Sequence, residues 1–575
     1  MSLQSANDVL ADVRAAFRRS FLAAGLFSLG VNVLMLTVPF YMLQIFDRVL
    51  LSRSLETLLL LTLIAVAGLL TLGLLDAVRG LVVLRFGSWM ERQLGGYALA
   101  AGVMRGLRRS QTNAQGLRDL TTVRTFLTGH GIFPFLDAPW TPLFLLAVFL
   151  LHPTLGLVAT AGALVLAVLA VTNEVATRRL NDRSSETTNN ATEDAHKAMR
   201  NADAIEAMGM LPALIDRWYG KADVSLAMHA RAAARSVALT SFSRFIRLAL
   251  QLGILGVAAF YVVENQITAG AMVAASILLG RALAPIEMAI GSWRSATAAR
   301  KAYQNLQRLI QGTPMGRAPI KLPRPKGWLV VDGITFFYPG SKDPLLRGVS
   351  FALQPGECLG LVGPAAAGKT TLARLVAGTL VSSHGHVRLD GMEMSQWPTT
   401  ERGRYVGYVP QGIELFNGTV AENIARMQDG EREAVIEAAQ LVGAHETILS
   451  LPDGYETEIG DAGAALSGGQ RQQIALARAV YGGPCLVVFD EPSASLDSRG
   501  EAYLLHALET LRERGVTTVV VAHRPTLLQK ADKVLLLRDG MVEAFGPRSE
   551  LLPRLVRPAA ALRAPQQLGQ GIWLT

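Results

Sequence analysis

Six long apolar runs crowd into the first half of this 575-residue chain, at about residues 21–43, 57–75, 132–151, 154–171, 246–263 and 269–290. Most reach the roughly 20 residues that an α-helix needs to cross a bilayer. So many in one half-chain exceed what a soluble core can bury, which predicts a polytopic α-helical membrane domain of six transmembrane helices. After about residue 325 the pattern changes to short apolar blocks alternating with polar residues and turns, which predicts an α/β domain. Between the two, Gly312, Pro314, Gly316, Pro319, Pro323 and Pro325 lie among basic residues, the chemistry of a linker. The expected division is a membrane domain over 1–310, a linker over 311–326, an α/β domain over 327–556 and an Ala-, Pro- and Gln-rich tail over 557–575.

Lys and Arg placement predicts the orientation. Arg14, Arg18 and Arg19 precede the first run. The connection between runs two and three carries Arg79, Arg85, Arg92, Arg105, Arg108, Arg109, Arg118 and Arg124. That between runs four and five is equally basic, from Arg178 to Arg235. Both termini and both long connections are therefore expected on the cytoplasmic side, as helices continuing past the bilayer. This bias largely accounts for the net charge of +9 and argues against a nucleic-acid partner. The first run is too long for a signal-peptide core and has no A-x-A site behind it, so it reads as a membrane helix. The two cysteines, Cys358 and Cys485, fall in the cytoplasmic half, where a disulfide is not expected.

In the second half, Leu359-Gly-Leu-Val-Gly363 is a strand running into Gly363-Pro364-Ala365-Ala366-Ala367-Gly368-Lys369-Thr370, a G-x-x-x-x-G-K-[ST] phosphate-binding loop. Its backbone N–H groups can cradle phosphates, Lys369 adds a positive charge at the terminal phosphates, and Thr370 offers a hydroxyl to Mg²⁺. Thr371 follows in the same turn. Downstream, Leu466-Ser467-Gly468-Gly469-Gln470 precedes Cys485-Leu-Val-Val-Phe-Asp490-Glu491, a buried-strand pattern ending in two carboxylates. Asp490 is placed to hold Mg²⁺, directly or through water.

These motifs, in this order, resemble the ATP-binding cassette (ABC) family, whose signature is LSGGQ. The resemblance implies a dimer in which Ser467, Gly468, Gly469 and Gln470 of one subunit close over ATP held by the other. It implies that Glu491 is the catalytic base and that His523, in Val519-Val-Val-Ala-His523-Arg524, is the switch histidine at the γ-phosphate. Gln411, in Tyr408-Val-Pro-Gln411, matches the Q-loop glutamine that senses Mg²⁺. Tyr338 matches the aromatic residue that stacks on adenine, and Asp497, in Pro492-Ser-Ala-Ser-Leu-Asp497, lies in the D-loop. Thr457-Glu458-Ile-Gly460-Asp461 resembles the X-loop of exporters. Two coupling segments are expected, one at residues 116–127 and a short amphipathic piece after the Gly-Pro break in residues 207–218. One departure is plain: the family usually has Ser-Gly where this chain has Ala365-Ala366. Alanine resists the left-handed backbone that glycine tolerates, so either the loop is strained and nucleotide binding weaker, or alanine fits without consequence.

The first membrane helices narrow the resemblance. Leu34-Met-Leu-Thr-Val-Pro39-Phe-Tyr-Met-Leu-Gln44-Ile-Phe-Asp47-Arg48 and Asp137-Ala-Pro139-Trp140-Thr-Pro142 are similar to the alkaline-protease exporter branch of type I secretion. That branch exports unfolded polypeptides bearing a C-terminal secretion signal. It implies an inner-membrane homodimer in contact with membrane lipids, a periplasmic membrane-fusion adaptor and an outer-membrane channel. With no peptidase-like domain ahead of the first run, leader cleavage is not expected. An exporter or flippase of lipids or small molecules shares every ATPase motif and stays as the alternative. Asn32, Gln251, Arg281 and Glu287 are polar residues within apolar runs, either lining a translocation path or pairing to fix helix packing.

Overall fold

The computed structural model describes residues 6–109, 115–199, 201–312, 323–460, 463, 465–522 and 524–555. The chain divides into two compact units, Met1–Arg105 with Thr112–Gly316, and Gly106–Gln111 with Arg317–Thr575.

The first unit is helical, and its principal helices are α1 (Ala6–Leu34), α2 (Leu55–Arg109), α3 (Gln115–Thr128), α4 (Thr141–Leu151), α5 (Pro153–Met199), α6 (Leu211–Val263) and α7 (Ala269–Gln311). Among the described residues, six helical stretches are long and apolar enough to cross a membrane. The 55 residues of α2 extend roughly 80 Å at 1.5 Å per residue, far beyond the roughly 30 Å of a hydrocarbon core. Its apolar part leaves Leu59, Leu63, Leu70 and Leu74 exposed, the surface of a helix that faces lipid. The breaks have local causes. Proline cannot complete a helical hydrogen bond, and Pro39 lies just past the interruption after α1. Pro134, Pro139 and Pro142 divide the third span into a short helix (Phe133–Asp137), a 3₁₀ turn (Ala138–Trp140) and α4. His152, extended, is the single residue between α4 and α5.

Of the two long connections expected on the cytoplasmic side, the second departs from its expected form. Residues 116–127 form most of α3, and Leu120, Val123 and Leu127 are buried with Leu94, Leu306 and Ile310. Their apolar face is thus used within this unit. The break in the second connection falls at Met208–Met210, with Gly209 at φ 61°. Beyond it there is no short separate piece. The chain enters the 53-residue α6 directly, with Pro212 in its first turn, where a missing N–H costs nothing.

Two polar clusters tie the spans together. After the helix Thr37–Gln44 the chain takes a π-helical turn, Ile45–Val49, that turns Asp47 toward the start of α7. Asp47 accepts the Gly270 N–H at 2.9 Å on Oδ1 and the Thr268 hydroxyl at 2.6 Å on Oδ2, and Thr268 caps α7. A Cβ at Gly270 would stand 2.5 Å from Asp47 Oδ1, so only glycine fits. Farther along the bundle, Arg79 is buried on α2 and bonds Asp137 Oδ1 and Asp76 Oδ1, each at 2.6 Å. Ser28 and Asn32 of α1 also bond Asp137, and the Arg79 guanidinium lies 4.5 Å over the Phe133 ring.

The second unit holds two sheets. One is antiparallel, in the order β2 (Leu346–Leu353), β1 (Leu329–Phe336), β4 (His384–Leu389), β5 (Met392–Glu393). The other runs β10 (Met541–Pro547), β9 (Lys533–Arg538), β3 (Cys358–Val362), β8 (Thr517–Val521), β7 (Leu486–Asp490), β6 (Val406–Val409), parallel except for the β10 edge. Strands covered on both faces become continuous apolar runs, and every residue of β3, β7 and β8 is buried. Along β7, Leu486 and Val488 join the core under the antiparallel sheet, while Val487 and Phe489 join the opposite core. Three helices matter for the site: α8 (Lys369–Val376), α9 (Gly468–Val480) and α10 (Ser498–Glu513).

Candidate functional site

The phosphate loop joins β3 to α8, at the carboxyl end of the parallel strands. Gly363 has φ 153° and a Cβ there would fall 2.1 Å from the Leu537 carbonyl oxygen, so the turn demands glycine. Gly368, at φ 99°, precedes α8, whose first N–H groups are free to face an anion. Between them Pro364, Ala365 and Ala366 are exposed and Ala367 is buried. Ala366 has φ 63°, the left-handed region that alanine resists; Ala365 does not. The departure from the family pattern therefore falls on the one of the two alanines where glycine would matter.

Lys369 is buried, and its ammonium donates to the carbonyls of Gly363 and Pro364, each at 2.8 Å. Burial pulls its pKa below the usual lysine value, while Glu491 and Asp490 push back toward the charged form. Thr370 donates to Asp490 Oδ1 at 3.4 Å. Asp490 is fully buried at the end of β7, and its other oxygen, Oδ2, has no hydrogen-bond partner. Burial raises its pKa, with the Thr370 hydrogen bond opposing. A buried carboxylate oxygen left over beside a threonine hydroxyl suits a cation or cation-bound water, and hard oxygen donors suit Mg²⁺.

Glu491 comes next in a strained backbone, φ 53°. Its N–H donates to the Val521 carbonyl of β8 and its carbonyl accepts from Ala494. Tyr338 is partly exposed, its hydroxyl 3.3 Å from Thr371 Oγ1 and its ring edge-on to Phe336, which sets an aromatic face beside the loop. Gln411 is exposed in the bend after β6 and bonds neither Thr370 nor Asp490. His523 and Asp461 lie outside the described residues.

The signature turn lies elsewhere in this unit. The helix that follows, α9, starts at Gly468, because Ser467 caps it in a reciprocal box. Ser467 Oγ accepts the Gln470 N–H at 3.2 Å and Gln470 Oε1 accepts the Ser467 N–H at 2.8 Å. The Gln470 side chain thus serves its own helix end. Ser467 and Gly468 are exposed, and a Cβ on Gly469 would lie 3.2 Å from the Ser495 carbonyl oxygen, so the turn rests on the D-loop. Asp497 caps α10, accepting the Gly500 N–H at 2.7 Å. One residue stands out only in the folded chain: Gln472, buried on α9, donates to the Pro492 carbonyl at 2.8 Å. It lies among Gln470, Arg471 and Gln473 on a helix start rich in polar residues, so nothing in the sequence marked it as the one that turns inward.

Of the four polar residues in the membrane runs, two are used in packing. Asn32 is buried and bonds Ser28 and Asp137, and Glu287 pairs with Arg247 at 2.8 Å across α6 and α7. These contacts fit the packing alternative for both residues. Gln251 is half-buried beside Gly280, and Arg281 is exposed.

Known proteins agree with this architecture. The family model described as ABC transporter matches residues 346–494, and that described as ABC transporter transmembrane region matches residues 21–283. The type I secretion system ATP-binding protein PrsD of Rhizobium meliloti is 39% identical over 552 residues, covering 96% of this chain and 94% of the relative. The cyclolysin secretion/processing ATP-binding protein CyaB of Bordetella pertussis is 30% identical over 542 residues, 92% of this chain and 75% of the relative. A solved bacterial Atm1-family ABC exporter with ATP bound superposes with a TM-score of 0.80 at 24% identity, over 96% of this chain and 100% of that one, a likeness of fold.

Proposed function

The chain belongs to the ABC transporters of type I secretion, multi-pass membrane proteins with an ATPase domain, and on that premise we propose that it is the inner-membrane exporter that drives one protein out of a Gram-negative cell. Its cargo is an unfolded polypeptide with a C-terminal secretion signal. It works with a periplasmic adaptor and an outer-membrane channel. The observation that carries the reading is the 39% identity to a type I secretion protein along nearly the whole chain, membrane half included. ATPase motifs alone do not separate a protein exporter from a lipid flippase.

The functional unit is a homodimer. The exposed Ser467 and Gly468 make no hydrogen bond to the phosphate loop of their own chain, which leaves them to complete the site of a second copy by a two-fold exchange. ATP binds with its phosphates on the loop amides and Lys369, and its adenine against Tyr338. Thr370 and Asp490 would hold Mg²⁺, with Gln411 reading its presence, and bound there the ion would neutralise phosphate charge. Glu491 takes the proton of the attacking water, and His523 steadies the γ-phosphate. Lys369 stabilises the charge that develops in transfer. Of the four path candidates, Arg281 and Gln251 are favoured over Asn32 and Glu287, whose contacts suit packing. The reading is tested by deleting this chain and examining the culture medium: one secreted protein disappears. An unchanged set of secreted proteins with altered membrane lipids would favour the flippase instead.

A further inference from the structure

The backbone around Glu491 is held from three sides. Its own N–H is bound by Val521 at the end of β8, and its carbonyl by Ala494. The next carbonyl, Pro492, is bound by Gln472 at 2.8 Å, and Gln472 is 3% exposed. The first two ties are backbone bonds any sequence can make. The third is a side chain from α9, reaching across 20 positions of chain to the residue after a carboxylate held at φ 53°. Left-handed backbone in a non-glycine residue persists only where the surroundings over-determine it. Proline at 492 has no N–H, so its carbonyl is the one backbone polar group there that can be anchored.

We propose that Gln472 is a positioning residue for hydrolysis, holding the Glu491 carboxylate in its productive place by anchoring the Pro492 carbonyl. The proposal rests on Glu491 as the base. Gln472 is buried and would act through the backbone rather than on the nucleotide. Its amide donates to the buried Pro492 carbonyl, for which no other donor is found among the described residues, and without that bond the strained turn is freer to relax. The helix that carries it begins at the signature turn, so any shift of α9 reaches Glu491 through this bond.

The test is a cycle on the full-length protein in lipid discs. Gln472→Met keeps length and packing but removes the donor, and should lower kcat for ATP about ten-fold while KM stays within about two-fold, the mark of a group acting on the chemical step. In a Glu491→Gln background the same change should alter residual turnover by no more than about two-fold, because the group it positions is already absent. Multiplying losses would overturn the proposal, as would a raised KM with kcat intact. Near-normal turnover of Glu491→Gln alone would remove the base assignment and the proposal together, an outcome distinct from either. Gln472→Glu supplies a second readout should the methionine variant not fold. Only the protonated carboxyl can donate to Pro492, so its deficit should be greater at pH 8 than at pH 6. A deficit independent of pH would count against the hydrogen bond.

Discussion

Ala366 is the sharpest place to perturb the site. It is exposed, so steric room is not the issue; the issue is its left-handed φ of 63°. An L-residue pays about 1–2 kcal/mol in that region, which glycine does not. A glycine also has more freedom to lose when the loop orders, about 0.5–1 kcal/mol. The difference favours Ala366→Gly by roughly 0.5–1 kcal/mol whenever ordering the loop is part of binding, or about two- to five-fold in affinity, since 1.4 kcal/mol is ten-fold. The assay is equilibrium binding of ATP to the purified full-length protein without Mg²⁺, so that nothing is hydrolysed. Ala365→Gly is the internal control. Its backbone is not left-handed, so only the entropic loss applies and binding should weaken. If Ala366→Gly leaves affinity unchanged, or if both variants shift it the same way, the strain argument is wrong and alanine fits without consequence.

Three other perturbations have definite expected outcomes. Burial lifts the Asp119 pKa from 3.8 to about 6, against an opposing hydrogen bond from Asn305. A raised carboxyl pKa favours folding below the unfolded value, and that advantage is lost as pH rises from about 4 to 6. Asp119→Asn should therefore flatten the fall in unfolding free energy across that window by about 1 kcal/mol after solvent screening, and an unaltered pH profile of stability would contradict it. Arg79→Ala leaves Asp137 buried without its cation and should cost about 3–5 kcal/mol in thermal stability, whereas Arg79→Met with Asp137→Leu should cost less; a small effect from the single variant would sink the network as a structural element. Arg281→Glu should impair export while sparing folding and basal ATP turnover, and undiminished secretion would take Arg281 off the path.

The architecture was legible where one physical signal dominates. Runs long enough for a bilayer, and strands apolar at every position such as Leu486–Asp490, have few alternative folds. The phosphate loop was legible because glycine at 363 and 368 and Lys369 together match one task, and the left-handed Ala366 appeared as a departure from pattern. What was hidden depends on distant partners. For Asn32 and Glu287 path and packing both stayed open, because a sequence displays polarity without displaying Ser28, Asp137 or Arg247 beside them. The start of α6 looked like a short helix because Gly209 and Pro212 mark a break but not how far the helix continues beyond it. Gln472 was hidden for the same reason, since its partner Pro492 lies on another element.

The contact between Asp47 and Gly270 has a consequence for inheritance. The two residues stand 223 positions apart, yet each bears on what the other can become. A side chain at 270 would collide with the carboxylate, and loss of the carboxylate would strip the Gly270 N–H and the Thr268 hydroxyl of their acceptor. The Leu43 carbonyl oxygen, 2.8 Å from the same Cβ position, bars a side chain at 270 even without Asp47, so descendants of this chain keep the glycine, and the aspartate with it where the helix start is to stay tied. The stretch around Asp47, which first looked like a badge of its branch, is half of a paired mark whose other half is Thr268-Ala-Gly270. Two chains that share one half and differ in the other have diverged in how the outer ends of their helices meet, whatever their ATPase motifs have in common.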